Sequence, residues 1–221
     1  MNNINQHLYA IYQNIISFYD YRGLVPLSKE LNQDGFIKAI QKDKYLILAS
    51  VNKSDVAGES GKIDQQKLAS AEDKHRVTVV LLVYPNTECE SKRAIMLKML
   101  NRIAYPNVDV LIITSIKVST SISKGLHAMS NADRSFRAFT YTLFNSVLPD
   151  HELVPKYNIL NNAEIDKIKE CFIDPDMLPR VFENDPQMVW LGAKIGDVVK
   201  FVYPSEITIE SICYCKVIPS M

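Results

Sequence analysis

VTVVLLVYP, residues 77–85, is a continuous apolar run dominated by β-branched side chains. A run with no polar alternation predicts a strand covered on both faces, as in the centre of an α/β sheet. Just beyond it, Thr87 and Glu90 stand at the three-residue spacing of a capping box, which predicts a helix start. Met96, Met99, Leu100 and Ile103 then recur on one helical face until Tyr105-Pro106 ends the pattern. VDVLIIT, residues 108–114, is a second run of the same buried type. Strand, capped helix and strand make a βαβ unit with a parallel pair.

Upstream, Ile4, Leu8, Ile11, Tyr12, Ile15 and Tyr19 recur at three- and four-residue intervals, which predicts an amphipathic helix over 4–19 that Gly23 closes. A shorter helix is expected after Asp34, with Phe36, Ile37 and Ile40, and then a strand at YLILASV, 45–51. Residues 52–75 are polar and poor in large side chains, so they predict a mobile surface loop with little to bury. Downstream, a helix around Ser121 to Met129 and a strand at FRAFTYTLF, 136–144, complete a first unit expected to span 1–148.

Beyond Pro149 the pattern changes. A strand at YNIL precedes Asn161 and Glu164, which cap a helix carrying Ile165, Ile168 and Phe172 until Asp174-Pro175 breaks it. MLPRVF reads as extended, Asp185-Pro186 starts a helical turn that Gly192 closes, and VVKFVY (198–203) and ICYCKVI (212–218) pair across a PSEITIES connection. A unit over 149–221 is a small α+β fold near the lower limit for a self-sufficient core.

The chain has 221 residues, 47% hydrophobic and 23% charged, as a globular protein of one large or two small domains would. No apolar run nears the ~20 residues of a membrane span, and the first residues lack the pattern of a secretory signal. The formal charge is zero, but residues 1–148 carry 18 Lys+Arg against 13 Asp+Glu, net +5, and residues 149–221 carry 7 against 12, net −5. Neither part has the dense basic block of a dedicated nucleic-acid binder. Cys89, Cys171, Cys213 and Cys215 form no CxxC pair and predict ordinary thiols in a reducing compartment, with Cys213 and Cys215 on one face of a strand.

Enzymatic signatures fare poorly. No glycine-rich phosphate loop follows either buried strand, and no G-x-S-x-G elbow is present. His151-Glu152 could begin a zinc-protease helix, but the position of the second histidine holds Pro155, which such a helix cannot accommodate. His7, His75 and His127 lack ligand spacing. Trp190, within an apolar helical turn, reads as core packing. A metal-dependent nuclease is the sharpest enzymatic alternative: Glu90-Ser91-Lys92 has acid-x-Lys spacing, and Asp109 opens a neighbouring strand.

HELVPKYNIL, then LPR (178–180), then NDPQMVWLGAKIGDVVKFVYPSE (184–206) together resemble the assembly domain of the fifth common subunit of eukaryotic RNA polymerases, whose archaeal counterpart keeps only that domain. These motifs occur in family order across about 70 residues, a far more specific signal than any one of them. More loosely, the first helix with its YRG end, the strand ending in VYP and VDVLIIT with its serine-rich sequel resemble that subunit's N-terminal jaw domain. The resemblance implies two domains: an α/β jaw with a nuclease-like three-layer βαβ core, and a small α+β assembly domain. It implies no catalysis by this chain, no cofactor and no metal.

By resemblance, His151, Glu152, Leu153, Val154 and Pro155 match the start of the assembly domain, Leu178, Pro179 and Arg180 its Leu-Pro-Arg motif, and Asp185 and Pro186 its Asp-Pro step. Gly192 and Gly196 match the glycines around its basic turn, and Pro204, Ser205 and Glu206 its Pro-Ser-Glu motif. The implied use is docking on the largest polymerase subunit and neighbouring small subunits, with no membrane involved. Lys117, Ser119, Thr120, Ser121 and Lys124 fall at a helix start where relatives carry a Thr-Pro-Ser turn, so they are expected beside downstream duplex DNA, touching it weakly and without sequence preference. The chain departs from the family at Tyr203, Ile207, Thr208 and Ile209, where a basic residue, a glycine and an aromatic are usual, and at Trp190 and Ile195. With the Asn-rich opening, this divergence resembles members from large cytoplasmic DNA viruses. An intracellular location is expected: the nucleus for a cellular chain, host cytoplasm and virion for a viral one. A free adaptor using a polymerase-type tail for protein binding is a third alternative.

Overall fold

The computed structural model describes residues 2–43, 45–57, 63–64, 67–68, 76–82, 108–115, 117–130, 134–171, 174–205 and 207–220. The contacts divide the chain into two compact units, Met1–Asn145 and Ser146–Met221.

The first unit opens with α1 (Asn2–Tyr21), longer at both ends than its periodicity predicts. Leu8, Ile11, Tyr12, Ile15, Phe18 and Tyr19 form its buried stripe, whereas Ile4, expected in that stripe, is 69% exposed in the first turn. Gly23 closes the helix at φ +66°. The Tyr19 hydroxyl donates to Leu48 O at 2.6 Å and accepts from Val79 N at 3.1 Å. Burial raises the Tyr19 pKa, so the phenol stays neutral and holds both bonds. Those bonds fix α1 across two strands of the sheet.

That sheet has five strands in the order β1 (Leu24–Pro26), β2 (Tyr45–Asn52), β3 (Val77–Leu82), β4 (Asp109–Thr114) and β5 (Ser135–Thr140). β1–β2 and β2–β3 are antiparallel, and β3–β4 and β4–β5 are parallel. The two apolar runs therefore lie side by side in parallel, Val79 opposite Leu111 and Val80 opposite Ile112, with Val77 to Leu81 and Val110 to Ile113 buried. Burial on both faces is what selected their unbroken β-branched sequence. Two further helices, α2 (Gln33–Asp43) and α4 (Thr120–Met129), belong to this unit, with the short α3 (Lys53–Val56) between them. The helix expected from Thr87, Glu90 and Met96 lies outside the described residues.

Two expectations are corrected in this unit. The polar composition of 52–75 predicts little to bury. Its described part instead contains α3, with Val56 fully buried against Val25 and Val51, and Leu68 packed on the same cluster. An isolated bridge joins Ala57 to Ile63, and Asp64 N donates to Val56 O at 2.9 Å. The strand expected over 136–144 ends at Thr140 and turns into a 3-10 helix, Tyr141–Phe144. That turn buries Phe144 edge-on against Phe18, with ring centroids 5.3 Å apart, and the Asn14 amide donates to Phe144 O at 2.8 Å.

The second unit is a four-stranded sheet in the order β6 (Lys156–Ile159), β8 (Val198–Ser205), β9 (Ile209–Ile218), β7 (Arg180–Phe182). Asn161 and Glu164 form the expected capping box on α5 (Asn162–Glu170), each bond 2.9 Å. Asp185 caps α6 (Pro186–Leu191) by accepting from Gln187 N at 2.8 Å. Trp190 is fully buried in α6, as packing predicts. One sheet face packs Tyr157, Val199, Phe201 and Val217 against Met188 and Ala193; the other packs Val198 with Leu160, Ile168 and Leu178. PSEITIES, expected as a connection, is mostly sheet: the β8–β9 register continues to Tyr203↔Ser211, Pro204↔Glu210 and Ser205↔Ile209. The hairpin is therefore longer than its apolar runs.

Candidate subunit interface

The motif residues of the second unit divide by what holds them. Pro155 is buried, and Leu178 lies in the core with Ile168 and Val198. Asp185 and Pro186 start α6, and Gly192 ends it at φ +77°, a left-handed conformation that residues with a Cβ adopt at a cost. Gly196 sits at φ +95° with open space where a Cβ would be, so backbone conformation and not crowding calls for glycine there. These six shape the fold. His151, Glu152, Leu153, Pro179, Arg180 and Pro204 are exposed, Leu153 at 86%. Ser205 is half-buried, its Oγ accepting from Thr208 N at 3.3 Å. Glu206 lies outside the described residues.

The sheet brings some of these together and separates others. Lys156 pairs with Val202, so the turn from His151 to Pro155 leaves the sheet beside Tyr203 and Pro204. In that turn His151 Nδ1 accepts from Leu153 N at 3.2 Å, and Val154 N donates to His151 O at 2.9 Å. Arg180 pairs with Lys216 on the far edge, where Asp176 binds Lys216 and the exposed Asp176 carboxyl is held below the usual carboxylate range by that hydrogen bond and charge. Gly196 lies in the turn before β8 and Pro204 near the strand's far end, and Val198 to Pro204 alone spans about 20 Å at ~3.3 Å per residue. One small contact cannot include both.

Sequence reasoning names Tyr203, Ile207 and Ile209 as departures from the family but passes over Ile212 and over how exposed all four are. Ile207 is 94% exposed, Ile209 85%, Ile212 48% and Tyr203 42%. Single exposed apolar residues are ordinary, and the register puts Tyr203 and Ile209 on one face of the hairpin and Ile212, opposite Val202, on the other. Their signal is present: Ile207 and Ile209 stand in a segment that reads as a connection, and Ile212 opens the strand after it. Ile209 also has φ +67°, a genuine outlier for a β-branched residue. On the packed face, Cys213 and Cys215 share one side with sulfurs 3.9 Å apart, and burial with the neighbouring Cys213 raises the Cys215 thiol to about 11. Cys171, Cys213 and Cys215 are all free thiols.

The nuclease alternative loses its anchor. Asp109 accepts from Arg137 at 2.6 Å and from the Ser135 hydroxyl, with Arg22 at 3.8 Å. Two guanidiniums occupy the carboxylate that metal chemistry would need. Glu90 and Lys92 lie outside the described residues. Among the described residues no cluster of three metal-ligating side chains occurs, and no helix is long and apolar enough to cross a membrane.

In the first unit, Lys117, Ser119, Thr120 and Lys124 are exposed around the start of α4, where Ser119 O accepts from Ser123 N at 3.0 Å. The Ser121 side chain lies outside the described residues.

Residues 147–217 match the family described as RNA polymerase Rpb5, C-terminal domain. Subunit Rpo5 of the DNA-directed RNA polymerase of Sulfolobus acidocaldarius is 43% identical over 72 residues, 32% of this chain and 86% of the relative. The chain belongs to the Rpb5/Rpo5 family. Rpo5 of Methanocaldococcus jannaschii is 41% identical over 70 residues, covering 90% of that relative, and Rpo5 of Nitrosopumilus maritimus is 36% identical over 73 residues, covering 88%. Each covers about a third of this chain, and the Rpb5 match falls within the second unit.

Proposed function

We propose that this chain is a non-catalytic subunit of a multisubunit DNA-dependent RNA polymerase. Residues 149–221 form an assembly domain that docks on the largest subunit and neighbouring small subunits, and residues 1–148 form a jaw beside downstream duplex DNA. The observation that carries this reading is the 43% identity covering 86% of an Rpo5 subunit. Nucleotidyl transfer belongs to the assembled enzyme. The exposed motif residues, His151, Glu152, Leu153, Pro179, Arg180 and Pro204, are the docking candidates, with Glu206 beside them in sequence. The buried or conformational ones hold that surface in shape.

The jaw reading is supported by a sheet with three parallel strands and by the net positive charge of residues 1–148. Lys117, Ser119, Thr120, Ser121 and Lys124 approach the DNA backbone there. Such a subunit works where its polymerase works: the nucleus for a cellular chain, host cytoplasm and virion for one from a large cytoplasmic DNA virus. The double variant Pro204→Ala, Glu206→Ala tests the docking assignment. Incorporation into polymerase should fall while the melting temperature of the free chain holds; full incorporation would remove these residues from the interface.

A further inference from the structure

The β8–β9 hairpin has two backbone edges, and prolines treat them differently. Val217 N points towards β8, donating to Asp197 O at 2.9 Å, whereas Lys216 N points outward to Pro179 O at 2.8 Å. Strand geometry repeats every two residues, so the N–H and C=O groups of Tyr214, Ile212 and Glu210 also point outward. Glu210 is satisfied locally: its N–H donates to Thr208 O at 2.7 Å and its carbonyl accepts from Thr208 Oγ1 at 3.0 Å. β7 pairs with β9 only from Arg180↔Lys216 to Phe182↔Ile218. The residue before it is Pro179, which has no N–H to offer, and the ladder stops there. Among the described residues, Ile212 N–H and C=O and Tyr214 N–H have no partner. The Tyr214 carbonyl is approached, among the described residues, by the Cys213 thiol alone, a weak donor, at 3.9 Å.

The opposite edge is blunted. Pro204 lies opposite Glu210, in the position whose N–H would face outward, and has none. One side of the hairpin is closed to pairing and the other open, which fixes where an extended chain can join. The open edge carries Ile212, half exposed, with Ile209 and Ile207 leading into it. Its charged neighbours differ along its length: exposed Glu210 stands at the turn end, and Arg180 and Lys216, the latter bound to Asp176, stand at the β7 end.

Resting on the polymerase reading above, we infer that a segment of another polymerase subunit adds to β9 as a strand, in line with β7, and hydrogen-bonds to Ile212 and Tyr214. The segment is extended, about five residues long, apolar where it meets Ile212, with a lysine or arginine where it passes Glu210. Main-chain bonds supply the affinity of such an addition, and the alternate side chains supply its selectivity.

Hydrogen–deuterium exchange resolved to single amides, on the free full-length chain and on the purified polymerase containing it, tests the inference. The Ile212 and Tyr214 amides should exchange freely in the free chain and about a hundredfold more slowly in the polymerase. Equal, fast exchange in an assembled polymerase overturns the inference and leaves the subunit reading standing. Protection that instead grows with the concentration of free chain assigns the edge to a second copy and also overturns it. Failure to enter any polymerase removes both. Ile212→Pro gives an independent arm, because it deletes only the outward donor: the free chain should keep its melting temperature while incorporation falls at least tenfold. Cys213→Pro, whose N–H faces β8, should unfold the hairpin. Unchanged incorporation of Ile212→Pro also overturns the inference.

Discussion

Lys216 donates its amide to the Pro179 carbonyl at 2.8 Å, and Pro179 has no amide with which to extend the ladder along β9. A single proline of the Leu-Pro-Arg motif thereby both anchors β7 to β9 and ends their pairing. Pro204 does the complementary work on the other side of the hairpin, where its missing donor discourages pairing. Family motifs that read as punctuation in the sequence are, in the fold, controls over which backbone is left free.

Ile209 holds φ +67° at the hairpin turn while its side chain is 85% exposed, so little burial offsets the strain. Ile209→Gly should stabilise the free chain by about 1 kcal/mol, the relieved strain exceeding the entropy added to the unfolded chain. Chemical denaturation measures it. A loss of stability would show that the isoleucine makes contacts worth more than its backbone strain.

Asp109 holds a charge cluster, bonded to Arg137 and Ser135 and facing Arg22. Arg22 is mostly buried, its pKa lowered by burial and held up by Asp109. Asp109→Asn should cost about 3 kcal/mol by leaving two guanidiniums without their shared counter-charge. The wild-type chain should show no metal-dependent nicking of DNA. Nicking by wild type that Asp109→Asn abolishes would restore the nuclease alternative.

Thiol chemistry reports the second unit's packing. With its thiol raised to about 11, Cys215 is almost wholly protonated at pH 8, whereas Cys171 is exposed. The folded state favours the neutral thiol, so its contribution to stability is present below the ordinary thiol range and fades as pH rises towards 11. Mass-spectrometric mapping of limited alkylation at pH 8 should find Cys171 labelled well before Cys215. The Cys215 rate should climb about tenfold per pH unit. Equal labelling at pH 8 would contradict the packing of β9.

Much of this fold is legible in the sequence because local chemistry and tertiary demand agree. The strands at 77–82 and 109–114 have apolar centres, Val79 to Leu81 and Val110 to Ile113, because both faces are covered there, and Asn161 with Glu164 satisfies orphan donors whatever the helix packs against. The misses share a cause: they depend on neighbours distant in sequence. Phe144 leaves the strand to meet Phe18, and Val56 becomes an anchor only because Val25 and Val51 lie beneath it. At the candidate interface, proline and glycine positions can be read and the isoleucines can be named, but their exposure cannot, since it belongs to the folded surface.

The jaw proposal makes an electrostatic prediction. If Lys117 and Lys124 approach phosphates, reversing both to glutamate should weaken DNA binding by the assembled polymerase evenly across sequences. It should also reduce the slope of log affinity against log salt by about two. An unchanged slope would place the DNA elsewhere.

The central claim is that this chain is built into an RNA polymerase through its last third. Tagged full-length chain, purified from the cells in which it is expressed natively, with its partners identified and quantified, tests it most directly. The account predicts one copy per largest polymerase subunit, holding through gel filtration at high salt. A chain that purifies free of every polymerase subunit would contradict it.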